Sequence, residues 1–186
     1  MEIRDAVALI NNGVRGHDGI WADLGAGTGT FTRALVELLS TTSRIYAVDR
    51  DASAVKRLQR WSAADAPNVV AIHADITEPL ESQGLLLDAP LDGMLLANAL
   101  HFIRDAEHVL ARLVRMLRSG GRVVIVEYDQ RDASRWVPYP IAIDQLGSLA
   151  AAAGLTTPKV IATRPSEYQG ILYAAAAERA AGRGAR

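Results

Sequence analysis

Residues 21–30, WADLGAGTGT, carry glycines at 25, 27 and 29 between an apolar run and a helix-like run. Glycine costs stability wherever a residue with a side chain would serve. Three within five positions mark a backbone that something approaches closely, a binding loop rather than a plain turn. Polar residues then recur where apolar runs end. Asp23 precedes the glycines, Asp49 closes RIYAVD, Asp75 closes NVVAIHAD, Asn98 and His101 follow LDGMLLA, and Glu127 and Asp129 sit at the end of RVVIVEYD. Carboxylates accept hydrogen bonds. An imidazole titrates near neutral pH, which makes His101 a candidate general base. The four histidines, His17, His73, His101 and His108, lack a tight ligand spacing, so no metal centre is expected. There are no cysteines. That removes disulfides, thiolate zinc sites, cysteine nucleophiles and cysteine-held iron–sulfur clusters.

These residues need elements to hold them. A leading helix is expected over 2–11, within residues 1–15, with Ala6, Leu9 and Ile10 on one side. Strands are expected at 20–24, 44–49, 68–75, 91–98 and 122–129, and a closing pair at 159–164 and 169–177. Helices fill the intervals: TFTRALVELL, SAVKRLQRWS capped by Ser53, DAEHVLARLVRMLRSGG capped by Asp105 and stopped by Gly120, and IAIDQLGSLAAAAG. Strands that alternate with helices imply a doubly wound parallel α/β sheet with helices on both faces. The closing pair has no helix between its strands, so its last strand must run antiparallel to its predecessor. Ligands of such sheets sit beyond the carboxyl ends of the strands, where the strand order switches.

With 186 residues, the chain fits one domain, ending in an Arg-rich tail, 178–186, expected to fray. A net charge of −1 and the lack of a basic stripe argue against nucleic acid as a partner. No apolar run reaches membrane-spanning length and no basic leader precedes one, so a cytoplasmic protein without membrane contact is expected.

Two cofactor classes fit a glycine turn followed by an acid after the second strand. The dinucleotide fingerprint G-x-G-x-x-G requires glycine where this chain has Thr30, which disfavours an NAD(P)-dependent oxidoreductase. DLGAGTG instead resembles the first motif of class I S-adenosylmethionine-dependent methyltransferases. The ordered set of Asp49, HADI, ANALHF, LRSGGRVVIVEY and the closing strand pair extends the resemblance over essentially the whole chain. It implies a Rossmann-like, doubly wound, seven-stranded mixed sheet with the last strand antiparallel, and S-adenosyl-L-methionine as cofactor. It also implies cofactor contacts from Asp23, Gly25, Gly27, Asp49, Arg50, Asp75, Ile76 and Asn98. Asp49 would take the ribose hydroxyls and Asp75 the adenine amine, while Arg50 and Ile76 flank the adenine and Asp23 serves the ammonium group. Gly29 is assigned to helix packing.

His101 would then stand on the acceptor side, with Glu127 and the loop residues Arg135, Trp136 and Tyr139. A second reading tucks Trp136 into the core and pairs Glu127 with an arginine. ANALHF replaces the Asn-Pro-Pro-aromatic motif that adenine or glutamine amide acceptors would want, which leaves a protein side chain or a small molecule, the latter being the expected acceptor. No inserted cap covers the site. The pocket is either open, or covered by the leading helix or by a neighbouring subunit of a homo-oligomer. A non-catalytic, cofactor-binding partner subunit is the remaining alternative.

Overall fold

The computed structural model describes residues 1–14, 16, 18–84, 89–167 and 170–181. Seven strands form one sheet: β1 (Ile20–Leu24), β2 (Arg44–Asp49), β3 (Val69–His73), β4 (Leu91–Ala97), β5 (Leu117–Asp129), β6 (Lys159–Pro165) and β7 (Ile171–Glu178). Their spatial order is β3-β2-β1-β4-β5-β7-β6. The ladders joining β1 to β5 are parallel, and β7 runs antiparallel to both β5 and β6. The order therefore reverses between β1 and β4, and a crevice opens beyond their carboxyl ends.

Five helices cover the sheet: α1 (Ile3–Ile10), α2 (Thr30–Leu38), α3 (Ala52–Asp65), α4 (Ala106–Val114) and α5 (Ile143–Ala152). Ala6, Leu9 and Ile10 of α1, Phe31 and Leu35 of α2, and Val55 and Leu58 of α3 share one core with Trp21 and Ile45. On the other face, Leu110 and Leu113 of α4 and Leu146 and Ala150 of α5 pack with Leu24, Met94 and Tyr173. The inner strands thus alternate between two apolar layers, the expected pattern for a sheet buried on both sides, while the edge strand β6 has no buried residue. None of the described helices is long and apolar enough to cross a membrane.

Most element ends differ from the expected ones by one or two residues, and three differences are instructive. Helix α3 is capped by Asp51, not Ser53: the Asp51 carboxylate accepts from the N–H groups of Ser53 and Ala54. Helix α4 has its Asp105 cap but ends at Val114, well short of Gly120. The chain is already in β5 by then. The pairing jumps from Leu91↔Leu117 to Gly93↔Arg122, and Gly120, with φ of 71°, sits in the bulge. The tail is also held further than expected. Glu178 closes β7 and pairs with Arg122, and the Arg179 N–H donates to the Gly121 carbonyl. Residues 182–186 lie outside the described residues, as do His17 and Tyr168.

Candidate active site

The glycine loop leaves β1 and enters α2. The Gly25 and Ala26 N–H groups both donate to the Val48 carbonyl, which pins the loop to β2. Gly25, Gly27 and Gly29 all have positive φ, at 85°, 52° and 85°. The space around each differs. A Cβ on Gly25 would meet the Ala99 Cβ at 2.8 Å, and one on Gly29 would collide with the Leu58 Cδ2. Gly29 therefore packs α2 against α3, as its position suggested. A Cβ on Gly27 would meet nothing within 4 Å, because it would point into the crevice.

The crevice has a volume of about 460 Å³ and is walled by Gly25, Gly27, Asp49, Arg50, Asp75 and Ile76, among others, and Asn98 and Phe102 also line it. Asp49 spans the loop: its Oδ2 accepts from the Gly27 N–H at 2.6 Å and its Oδ1 from the Asp51 N–H at 2.8 Å. The Oδ1 of Asp75 accepts from the N–H and hydroxyl of Thr77. Burial works against its charge, but those bonds, with Arg50 and Arg112 nearby, hold the carboxyl below the usual carboxylate range.

A neighbouring hollow of about 250 Å³ lies under the glycine loop and includes Asp23, Thr30 and Asn98. Asp23 is fully buried, and its Oδ2 accepts from the Thr32 hydroxyl at 2.6 Å. Its Oδ1 has no hydrogen-bond partner among the described residues, nor has Oδ1 of Asn98. Burial pushes the Asp23 carboxyl up to about 7; the Thr32 hydroxyl opposes the shift and the charge of Asp49 adds to it. Asn98 adopts a left-handed φ of 54°, a conformation that asparagine tolerates better than most side chains.

Beyond β4 and β5 is a second cavity of about 510 Å³, walled by Asn98, His101, Phe102, Tyr128, Arg131 and Trp136. His101 is 2% exposed and sits in a short 3-10 turn, Leu100–Phe102. Its Nδ1 lies 2.6 Å from Oε2 of Glu127, and its N–H donates to Oε1 at 3.2 Å. Glu127 has no exposure at all, so it stands behind His101 rather than on the cavity wall, and no arginine pairs with it among the described contacts. The Tyr139 N–H donates to the His101 carbonyl, and the Tyr173 hydroxyl to the Ile141 carbonyl, so the 130–141 loop is fastened at its far end.

Within that loop the core anchor is Val137, at 2% exposure; Trp136 stays 64% exposed, with the Arg135 guanidinium 4.5 Å from its ring centre. Tyr139 is also exposed and is not on the cavity wall. Phe102, on the wall of both cavities, escaped the sequence reading, although it directly follows His101. The sequence also gave no sign that Thr32 would hold Asp23, since the two meet only once α2 has folded back over β1.

The methyltransferase domain family model matches residues 22–123, more than half of the chain. The chain belongs to that family. A Streptomyces fradiae protein of 37.1 kDa, encoded in transposon Tn4556, is 30% identical over 158 residues, covering 75% of this chain and 44% of its own length. A ribosomal RNA small subunit methyltransferase H from a Psychrobacter species is 29% identical over 89 residues, covering 46% of this chain and 25% of its own. The chain thus spans less than half the length of these curated relatives. Among solved structures, a Burkholderia thailandensis 1,6-didemethyltoxoflavin-N1-methyltransferase superposes with a TM-score of 0.75 at 23% identity, over 96% of this chain and 78% of that one. The mixed sheet of this methyltransferase domain is the Rossmann-like fold of that class, whose cofactor is S-adenosyl-L-methionine.

The residues present fit this cofactor. Gly27 leaves open space on the wall of the crevice, and Gly25 lets the loop pass close to Ala99 on the same wall. Asp49 and Asp75 offer acceptors on the crevice wall, and the unpartnered oxygens of Asp23 and Asn98 await donors at the loop end.

Proposed function

We propose that this methyltransferase domain moves a methyl group from S-adenosylmethionine to a small-molecule acceptor held beside His101. One observation carries the reading: the crevice and the second cavity share Asn98 and Phe102, and the second cavity holds a buried imidazole whose Nδ1 is committed to a carboxylate. Asp49 takes the ribose hydroxyls, Asp75 the adenine amine, and Arg50 and Ile76 the adenine faces. Asp23 receives the ammonium group at its vacant oxygen. Bound there, the cofactor would supply an electrophilic methyl group, its sulfur keeping the electron pair of the bond to that group.

The chain's own work is positioning and proton transfer. Glu127 accepts both the backbone N–H and the Nδ1–H of His101, so the base role falls to Nε2. That nitrogen takes the proton an acceptor loses. Holding two reactants in line is worth on the order of 7–11 kcal/mol, so little further machinery is needed. The net charge of −1 and the ANALHF sequence favour a small acceptor over RNA.

Two measurements test the reading. S-adenosylhomocysteine should raise Tm, because a ligand that binds only the folded state stabilises it by mass action, and NADH should leave Tm unchanged. No shift with the sulfur ligand at millimolar concentration rejects the cofactor assignment. Replacing His101 by glutamine should leave cofactor affinity within about threefold, under 1 kcal/mol, while turnover falls. Cofactor binding with no turnover on any acceptor would mark a non-catalytic subunit instead.

A further inference from the structure

The second cavity is an unusual place for water to be the intended occupant. Its wall is a run of rings: His101 and Phe102 have centroids 4.3 Å apart at 49°, and His101 and Tyr128 lie 5.9 Å apart at 54°. Trp136 adds a fourth ring from the loop. Phe102 and Trp136 are 46% and 64% exposed, two of the few large apolar side chains left in contact with solvent. The loop buries Val137 and not its neighbour Trp136, whose indole stays exposed on the cavity wall. Charge is added on the same wall: the Arg131 guanidinium lies 4.5 Å from the centre of the Tyr128 ring. The negative charge of Glu127 is screened from the cavity by the imidazole in front of it.

The geometry points to a flat, conjugated acceptor of one or two rings that carries a negative charge, seated between Phe102 and Trp136 with its charge toward Arg131. This rests on the methyltransferase reading above and names its substrate class. Ring faces prefer other ring faces in offset or tilted contact, and a guanidinium recognises carboxylates and phenolates. The volume, about 510 Å³, lies within the range usual for small-ligand pockets and admits a bicyclic molecule.

The test uses three probes on the whole chain saturated with S-adenosylhomocysteine: 6-hydroxy-2-naphthoate, its neutral amide, and the fully saturated bicycle with the same carboxylate and hydroxyl. Calorimetry should find the naphthoate bound at least tenfold more tightly than either counterpart. Trp136→Ala should remove the preference for the flat ring and Arg131→Ala the preference for the anion. Both residues are on the exposed loop, so both variants should fold, which unchanged affinity for S-adenosylhomocysteine verifies. Equal binding of the saturated bicycle, preferences that survive both variants, or no binding of any probe overturns the proposal. Failure of S-adenosylhomocysteine itself to bind would instead reject the methyltransferase reading.

Discussion

At the scale of single residues, the acids of the crevice do different work and should fail differently. Asp49 holds the Gly27 and Asp51 N–H groups and faces the crevice, so Asp49→Ala should weaken binding of S-adenosylhomocysteine by about 2 kcal/mol, read by calorimetry, with the fold retained. Asp23 is buried and raised to about 7 from an ordinary value of 3.8. Its protonated form is favoured by folding, so the stability it contributes is full below about pH 4 and is lost as pH rises through about 7. Asp23→Asn should therefore flatten the decline of Tm between those values and raise Tm at pH 8 by roughly 5 °C. It should also weaken cofactor binding, because an amide gives an ammonium group less than a carboxylate does. In the unaltered chain, cofactor affinity should rise between pH 5.5 and 8 as Asp23 ionises. An affinity that is level over that range would remove Asp23 from the ammonium site. The acids at strand ends were legible because a parallel sheet leaves few other places for them. The partner of Glu127 was not, since His101 lies on the neighbouring strand's exit and only the β4–β5 register brings the two together.

At the scale of elements, β1 and β4 fit because one of them lacks a side chain. Gly93 pairs with Trp21, and a Cβ at Gly93 would meet the six-membered ring of the indole at 2.5 Å. Gly93→Ala should cost about 2 kcal/mol through overpacking, measured by chemical denaturation. Trp21→Phe in that background should recover part of it, because the ring atoms in the way are gone and so is an indole N–H with no described partner. If Gly93→Ala alone is as stable as the parent, β1 and β4 do not need this fit. Existence and type of the elements were readable from periodicity and strand-end chemistry. Edges were not: Asp51 and Ser53 are both good caps only two residues apart, and the helical pattern of α4 runs on past Val114 into residues that the bulge of β5 claims. Trp136 and Val137 are adjacent in a loop without period, so nothing in the sequence told which would be buried.

At the scale of the whole molecule, the cofactor crevice and the ringed cavity are not separate rooms. Asn98 and Phe102 belong to the walls of both. An acceptor seated among the rings, as proposed above, would meet the crevice wall at those two residues and would stand next to the bound cofactor. On the methyltransferase reading proposed above, the chain should receive its two substrates in a fixed sequence, cofactor before acceptor, and release them in reverse. Initial-rate studies should then find S-adenosylhomocysteine competitive against S-adenosylmethionine, and the methylated product noncompetitive against it. Trimming the shared door, by Phe102→Ala, should loosen that sequence toward random arrival and shorten the time for which spent cofactor is trapped.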